Sequence, residues 1–333
     1  MKKIHSAFIL AAGEGTRLRP LTATIPKPLL PVFHKPLMTF AIDHSRTLGI
    51  ANIALNTRYL HEAFQTYFQV QEKTPNLAIG EYEGNPISVF HEHMYLDTGG
   101  GLCNARALLS KGTFLIHNGD ILTDAPLEEL IDFHFRSGSL ATLLLRHEGS
   151  KKNVTYNTNH GLIEGFNSIS NSLAACPKMP SILIGYTGIA VIEPSFLDWI
   201  PSQGPASIIP ALQKAIHAKK KISGFVAQHD YFWSDLGTPE SYFKTHRRII
   251  EEQWKPPFKL ANKDLLWPTS IHPLAKIDSS ARLEEMVVAG PHALIDHHAY
   301  VKNCILLARA KTSPHGAYEA TILGENFTCN LVS

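Results

Sequence analysis

Residues 10–22, LAAGEGTRLRPLT, follow an apolar segment and decide the fold predicted for the first half of the chain. Residues 7–12 are predicted to form a buried strand of a parallel sheet, because such strands are apolar on both faces. Two glycines open the loop that follows, and a glycine loop after a strand brings backbone N–H groups close to an anion. Arg17, Arg19 and Lys27 lie on the same loop. Their charges predict that the loop binds a polyphosphate.

Two common phosphate-binding loops do not fit these residues. A dinucleotide-binding fingerprint requires a third glycine at position 18, where the chain has Leu18. A P-loop requires Gly-Lys-Ser or Gly-Lys-Thr after its glycines, and the residues after Gly15 lack that sequence. The loop is therefore predicted to bind phosphates in a different way, with prolines that restrict its backbone and with clustered cations.

Strands and helices alternate along the first part of the chain. After the loop, helical spacing extends to residue 48, and Gly49 suits the position that follows a helix C-terminus. Buried strands are predicted at residues 50–56, 87–91, 113–118 and 140–146. This alternation predicts an α/β fold with a Rossmann-like, doubly wound, mixed but mainly parallel sheet. Ligands of such sheets lie beyond the carboxyl ends of the strands, where Gly13 and Asp120 both fall.

A six-residue repeat follows a change of composition near Trp254. Residues 255–269 are predicted to link a catalytic domain at 1–254 to a repeat domain at 270–333. Within the repeat, one residue in six is an anchor, and most anchors are followed four residues later by a small or apolar residue. The anchors are Ile271, Ile277, Leu283, Ala289, Ile295, Val301, Leu307 and Ser313. This period is typical of a parallel β-helix, because each short rung buries only one side chain.

Composition and charge exclude several classes of protein. The 31 basic and 29 acidic residues nearly balance, so the net charge of +2 does not provide the basic face that nucleic-acid binding requires. The apolar runs stop far short of the roughly 20 residues that a membrane span needs. The four cysteines lie far apart and form no CxxC pair, which argues against a zinc site or disulfide scaffold and favours a cytoplasmic protein.

The opening stretch and residues 26–32, PKPLLPV, resemble the signature of the sugar-1-phosphate nucleotidyltransferases, or NDP-sugar pyrophosphorylases. The resemblance covers most of residues 4–246, and four further motifs follow in the family's order. They are DTGGG at 97–101, NGD at 118–120, YTGI at 186–189 and WSDLGTP at 233–239. Several members also carry a left-handed β-helix, so the resemblance implies a short left-handed β-helix for the tail.

The resemblance also implies a role for each motif. Asp120 and Asp235 would hold Mg²⁺, an ion that prefers oxygen ligands and shares its coordination with substrate phosphates. Arg17 would steady the phosphates that leave as pyrophosphate, and Lys27 would neutralise charge during transfer. Arg17, Lys27 and Asp120 are the predicted catalytic residues. The predicted nucleotide-binding residues are Leu10, Ala11, Ala12, Gly13, Gly15, Thr16, Arg17, Thr98, Gly99, Gly100 and Asn118, and the predicted sugar-binding residues are Gly165, Thr187 and Gly188.

One motif of the family is missing from this chain. Many members carry Phe-x-Glu-Lys-Pro in the middle of the chain, where the lysine binds the sugar phosphate, but residues 165–169 are GFNSI. Either another cation serves, with Lys178 and Arg146 as candidates, or the sugar is held differently. The absence of Glu-Lys resembles N-acetylmuramate-1-phosphate uridylyltransferases, whereas the β-helix resembles mannose-1-phosphate guanylyltransferases. The base, with GTP or UTP favoured, and the sugar therefore stay open.

Two alternatives to this single activity remain at this point. A catalytically idle homologue would bind a sugar nucleotide as a regulatory subunit, although Arg17, Lys27 and both aspartates are present. A β-helix that contains histidines could also carry an acyltransferase activity. We expect instead that the tail mediates assembly into a homo-oligomer or stiffens the catalytic domain.

Overall fold

The structure, a computed structural model, describes residues 3–148, 151–166, 180–261 and 267–331. Its helices are α1 (Leu37–Thr47), α2 (His61–Phe68), α3 (Asp97–Asn104), α4 (Arg106–Leu109), α5 (Leu127–Ser137), α6 (Ile208–His217) and α7 (Pro239–Glu251), with 3-10 turns at Thr16–Leu18, Leu21–Ala23, Lys27–Leu29 and Pro194–Trp199. Within these ranges, no helix combines the length and the apolar character that crossing a membrane requires.

The strands fall into a large N-terminal group and a smaller C-terminal group. The first group is β1 (Ser6–Leu10), β2 (Pro31–Val32), β3 (Lys35–Pro36), β4 (Asn52–Thr57), β5 (Gln71–Thr74), β6 (Leu77–Tyr82), β7 (Asn85–His91), β8 (Phe114–Asn118), β9 (Ile121–Thr123), β10 (Ala141–Arg146), β11 (Lys152–Asn157), β12 (Leu162–Phe166), β13 (Ser181–Ile192), β14 (Ile222–Val226) and β15 (Trp233–Asp235). The second group is β16 (Lys276–Ile277), β17 (Arg282–Ala289), β18 (Leu294–Ile295), β19 (Tyr300–Leu306), β20 (Ala317–Leu323) and β21 (Thr328–Asn330).

A mixed sheet forms the centre of the N-terminal part, in the order β10-β14-β12-β11-β13-β8-β1-β4-β7-β6-β5. The run β8-β1-β4-β7 is parallel, as is the pair β10-β14. The prediction of a mainly parallel sheet is wrong, because the long strand β13 runs antiparallel to β8, β10 and β11. The meander β5-β6-β7 and the hairpin β11-β12 add further antiparallel pairs, since short connections join such strands directly.

Helices cover both faces of this sheet, as the doubly wound prediction requires. On one face, Leu102 of α3 packs in the same buried cluster as Phe8 of β1. On the other face, Ile42 of α1 and Phe64 of α2 pack in the cluster that contains Ile9. Neighbouring residues of β1 therefore point into different cores, because side chains alternate along a strand. This explains why residues 7–10 of the strand are all apolar.

The C-terminal strands stack in parallel, one coil above the next. Leu283 of β17 pairs with Val301 of β19, three hexapeptides later, and Val301 pairs in turn with Tyr318 of β20. Ala289, Ile295 and Val301 are fully buried within this stack, as expected for anchors of the repeat. The antiparallel strand β21 follows at the edge of the stack, beside β20.

The repeat loses one residue after its middle coil, which moves the later predicted anchors out of register. A β-bulge precedes Val287, which pairs with Cys304 and not with the residue three hexapeptides away. Cys304 therefore joins the interior of the stack, whereas the predicted anchor Leu307 faces a different cluster. The predicted anchor Ser313 is exposed, and Thr312 is buried instead. A bulge has no simple sequence signal, so a fixed period could not predict the shift.

A third cluster joins the tail to the loop that follows β1. Phe258 of the predicted linker stacks on His44 with 4.2 Å between ring centroids, and Trp267 packs edge-on to Phe33 at 5.2 Å. The same cluster contains apolar side chains of the tail and of the loop. They are Met286, Val288, Ile305, Leu307 and Ile322 from the tail, with Leu18, Leu21, Leu30, Val32 and Phe33 from the loop. The tail therefore supports the segment on which the predicted phosphate ligands lie.

Three buried histidines predict that the protein loses stability in mild acid. Burial lowers the pKa of His44 to about 3 and the pKa values of His117 and His246 to about 4. His246 Nε2 accepts a hydrogen bond from the N–H of Phe33 at 2.9 Å, which requires the neutral ring.

The unfolded chain takes up these protons near pH 6.5, and the folded chain does so only well below that value. The free energy of unfolding should therefore fall as the pH drops from about 6.5 towards 4, by up to roughly 1.4 kcal/mol per pH unit for each histidine. Urea denaturation across this range measures the change. A free energy of unfolding that stays constant would show that these rings do not stay neutral in the folded protein.

Candidate active site

A cavity of about 300 Å³ lies where the parallel strands β1, β4 and β8 end. All three predicted catalytic residues, Arg17, Lys27 and Asp120, line it. So do most of the predicted nucleotide-binding residues, namely Leu10, Ala11, Ala12, Gly13, Gly15, Thr16, Arg17, Thr98 and Asn118. The structure thus brings together residues that are widely separated in the sequence, at the edge of the sheet where ligands of α/β folds bind.

Gly15 allows the loop after β1 to turn back over Lys27. Its φ of +63° lies in the left-handed region, which a residue with a side chain rarely adopts. A Cβ atom at this position would lie 3.0 Å from the Cβ of Lys27 and 3.1 Å from a methyl carbon of Thr22. The hydroxyl of Thr22 donates to the carbonyl of Gly15 at 2.8 Å and holds the turn. Glycine is required here for both its backbone conformation and its size.

Two carboxylates from distant motifs meet on the ammonium group of Lys27. Lys27 Nζ lies 2.6 Å from Asp120 Oδ2 and 3.3 Å from Asp235 Oδ1. The side chain of Lys27 is only 7% exposed, whereas those of Asp120 and Asp235 are 34% and 40% exposed and face the open side. The aspartates come together because β15 pairs antiparallel with β9, which places Asp235 opposite Ile121.

This pair of carboxylates fits a divalent metal ion. Both oxygen atoms already contact one cationic group, so the positions suit a small cation with oxygen ligands. Among the described residues, no group of three or more His, Cys, Asp or Glu side chains could hold a metal by itself. A cation bound to Asp120 and Asp235 would therefore need further oxygens from water or from substrate phosphates, which is how Mg²⁺ is usually bound.

A hydrogen-bonded pair that none of the sequence motifs indicates also shapes the cavity. Asn56 Oδ1 accepts the backbone N–H of Ala11 at 2.7 Å, and Asn56 Nδ2 donates to Glu92 Oε1 at 2.7 Å. Glu92 is only 2% exposed, and burial raises its pKa. Both residues line the cavity, as do Tyr95 and Asp97. The available signal was their position at or just after the ends of β4 and β7, two strands of the parallel run.

Gly99 and Gly100, both predicted nucleotide-binding residues, follow Thr98 but are not among the residues that line the cavity. They are in α3, and Cβ atoms there would lie 2.8 Å from the carbonyl oxygen of Ala206 and 3.0 Å from that of Gly204. These glycines therefore allow α3 to pack closely against the segment before α6. Thr98 lines the cavity, and its hydroxyl accepts the N–H of Ile208 at 3.0 Å.

The predicted sugar-binding residues lie outside the 300 Å³ cavity. Gly188, with φ +86°, packs against Asn118, whose Nδ2 lies 2.6 Å from the position of a Cβ. The carbonyl of Thr187 accepts the indole N–H of Trp233 at 3.2 Å, so this backbone contacts the strand that carries Asp235. A Cβ atom at Gly165 would lie 3.7 Å from Oε1 of Gln213.

Residues 167–169 and the alternative cation Lys178 lie outside the described residues. Arg146, the other candidate, is described and ends β10.

Comparison with known proteins agrees with these features. The family model "Nucleotidyl transferase" matches residues 6–252. A mannose-1-phosphate guanyltransferase beta-A of Xenopus laevis is 26% identical over 328 residues, which cover 96% of this chain and 85% of the relative. A UTP–glucose-1-phosphate uridylyltransferase of Synechocystis sp. is 26% identical over 332 residues, covering 92% and 84%. A mannose-1-phosphate guanyltransferase of Hypocrea jecorina is 29% identical over 338 residues, covering 96% and 86%.

A solved structure is similar in fold. A UDP-glucose pyrophosphorylase in complex with UDP-glucose superposes with a TM-score of 0.60 at 19% identity, over 75% of this chain and 99% of the other. The family match covers well over half of the chain, and it includes the loop after β1 and both aspartate motifs. The chain therefore belongs to the nucleotidyl transferase family, as a member of the sugar-1-phosphate type that its motifs resemble.

Proposed function

We propose that this protein transfers a nucleotidyl group from an NTP to a sugar-1-phosphate and releases pyrophosphate. The observation that carries this proposal is the contact of Lys27 with both Asp120 and Asp235, because Lys27 and Asp120 line the cavity together with the glycine loop. A cation, two carboxylates and backbone N–H groups around one opening suit a reaction at phosphorus.

The protein supplies positions and charges and needs no general base. The second pKa of a phosphate monoester is about 6, so the attacking oxygen of the sugar phosphate is already ionised at neutral pH. The main barrier is the approach of two anions, which fixed cations and correct alignment reduce. We assign Arg17 to the β- and γ-phosphates and Lys27 to the charge that develops near the α-phosphorus. The loop N–H groups bind the nucleotide.

The metal ion of the reaction would be Mg²⁺, held by Asp120 and Asp235. When bound, it neutralises phosphate charge at the point where the two substrates meet. The two aspartates come from different parts of the chain, so their positions depend on the β9-β15 pair. Lys27 shares both carboxylates and keeps them close to each other.

The substrates that we favour are GTP or UTP with a hexose-1-phosphate. The relatives are named as guanylyltransferases of mannose-1-phosphate and as a uridylyltransferase of glucose-1-phosphate, at similar identity. Pyrophosphate release with both nucleotides and with mannose-, glucose-, N-acetylglucosamine- and N-acetylmuramate-1-phosphate tests the proposal. We expect strong release that depends on Mg²⁺ for at least one pair. No release for any pair, from folded protein that still binds nucleotide, would favour the regulatory homologue instead.

Replacing Lys27 by alanine should lower kcat more than it raises the KM for the NTP. The ammonium group is buried and contacts both aspartates, so its main effect is expected on the transition state, where charge accumulates. We expect a loss in kcat of about 10²- to 10³-fold. Steady-state kinetics at several NTP concentrations separate the two parameters. A raised KM with an unchanged kcat would show that Lys27 only binds the ground state.

We further propose that residues 270–333 form a short left-handed parallel β-helix, separate from a catalytic domain at 1–254. The parallel pairs of β16 with β18 and of β17, β19 and β20 support successive coils. Small side chains such as Ala289 and Ala299 fill the narrow interior. Residues 255–269 connect the two parts, with Phe258 and Trp267 packed between them.

A further inference from the structure

A second cavity, of about 250 Å³, lies at the carboxyl ends of β10 and β14. β10 and β8 are both antiparallel to β13, so this cavity opens on the same edge of the sheet as the nucleotide cavity. Arg146 and Tyr231 line it. None of the steps proposed above uses either residue.

Two buried polar atoms around this cavity have no hydrogen-bond partner in the part of the chain that the structure describes. They are Nη1 of Arg146 and the hydroxyl of Tyr231. Burial raises the pKa of Tyr231 to about 12, so its hydroxyl stays protonated at neutral pH and can donate a hydrogen bond. A guanidinium group can only donate. Both donors belong to residues that line the same cavity, so a ligand that offers acceptor oxygens there would satisfy both of them.

Two aromatic rings fix the orientation of the guanidinium group. The Cζ atom of Arg146 lies 5.3 Å from the ring centroid of Tyr231 and 5.2 Å from that of Trp233. A guanidinium group held in this way presents its N–H groups at a fixed angle, which matches the paired oxygens of a carboxylate. The carboxylates of Glu148 and Asp230 also line the cavity, but both are exposed, so water and salt weaken their effect on a bound anion.

Trp233 connects this cavity to the catalytic carboxylates. Trp233 and Asp235 lie two residues apart on β15. Their side chains therefore project from the same face of the strand, about 7 Å apart. The indole of Trp233 contacts the carbonyl of Thr187 on one side and Arg146 on another. Arg146 therefore lies next to the strand that carries Asp235, one of the two aspartates proposed to hold the metal ion.

We propose that the second cavity binds a carboxylate group on the sugar, held by Arg146 and Tyr231, and that the preferred substrates are acidic sugar-1-phosphates. The inference rests on the proposed function, since the carboxylate belongs to the sugar that accepts the nucleotidyl group. It names a class of substrate that the similarity to known relatives does not distinguish.

Matched pairs of substrates test this proposal. Glucose-1-phosphate and glucuronic acid-1-phosphate differ only at C6, and N-acetylglucosamine-1-phosphate and N-acetylmuramate-1-phosphate differ by the lactyl ether on O3, which carries a carboxylate. For at least one pair, we expect kcat/KM of the wild-type protein to favour the acidic sugar by about tenfold to a hundredfold, as for a charge-assisted hydrogen bond. Arg146→Gln should remove this preference, so that the kcat/KM values for the acidic and the neutral sugar of a pair become equal within about twofold.

Further variants separate recognition from a purely structural effect. Arg146→Lys should keep part of the preference because it keeps the charge, and Tyr231→Phe should lose a smaller part. Arg136→Gln, at an exposed arginine of α5, serves as the matched control and should change nothing. Circular dichroism checks that each variant folds.

Three results would overturn the proposal. The first is a wild-type protein that uses neutral sugars as well as acidic ones, and the second is an equal loss for both sugars in Arg146→Gln. In either case the neutral sugars still react, so the proposed function stands. The third is the absence of pyrophosphate release with every sugar-1-phosphate, which overturns the proposed function as well.

Discussion

Replacing Asp120 by asparagine is expected to lower kcat for nucleotidyl transfer by about 10³-fold or more, the upper range for removal of one preorganised electrostatic group. The amide has nearly the same volume as the carboxylate, so the fold should not change. It lacks the charge that favours a divalent cation, and it removes the 2.6 Å ion pair with Lys27. Initial rates at increasing Mg²⁺ concentration measure the effect.

A matched control is available on α5. Asp132→Asn alters an exposed aspartate of α5 that belongs to neither aspartate motif, and it should leave the rate unchanged. Thermal unfolding of both variants should be close to that of the wild-type protein. Normal turnover in Asp120→Asn would remove this residue from the metal site and leave the contact with Lys27 as a structural ion pair.

Deleting the tail after Pro268 is expected to prevent the catalytic domain from folding to a stable, active state. The deletion exposes the apolar side chains of the loop that pack against Met286, Val288, Ile305 and Ile322. Each large apolar side chain contributes roughly 1.5–3 kcal/mol when buried, so the total loss approaches the 5–15 kcal/mol by which typical domains are stable. Expression, circular dichroism and urea denaturation measure the outcome.

Single substitutions test the same packing with a smaller expected loss of stability. Ile305→Ala should lower the free energy of unfolding by about 2–5 kcal/mol, because this side chain is 1% exposed in the shared cluster. Ile277→Ala, at a side chain that is 38% exposed, should change it by no more than about 0.5 kcal/mol. A truncated protein that folds and turns over normally would show that the loop does not depend on the tail.

The residues of the main site could be predicted because they lie in short, ordered motifs. The loop after β1 carries its own glycines and cations, and Asp120 directly follows a buried strand. Asp235 was predicted only by family resemblance, since the β9-β15 pair that brings it to Lys27 joins segments far apart in the chain. Pairings of that kind depend on the whole fold and leave no local pattern.

Other features could not be predicted from the sequence for similar reasons. The hydrogen bonds of Asn56 depend on a neighbouring strand and on Glu92, which a single chain pattern does not show. The close packing of Gly99 and Gly100 against the segment before α6 also depends on a distant part of the chain. The antiparallel direction of β13 could not be predicted either. A buried apolar strand has the same sequence pattern whether it runs parallel or antiparallel to its neighbour.

The central claim is that an oxygen of the sugar phosphate attacks the α-phosphorus of the NTP in the site formed by Lys27, Asp120 and Asp235. The most direct test uses a sugar-1-phosphate with ¹⁸O in its non-bridging phosphate oxygens and follows the product by ³¹P NMR. The account predicts that the NDP-sugar carries ¹⁸O between its two phosphorus atoms, with an isotope shift on both signals. A product without ¹⁸O in that bridge, or free NMP in its place, would contradict direct transfer.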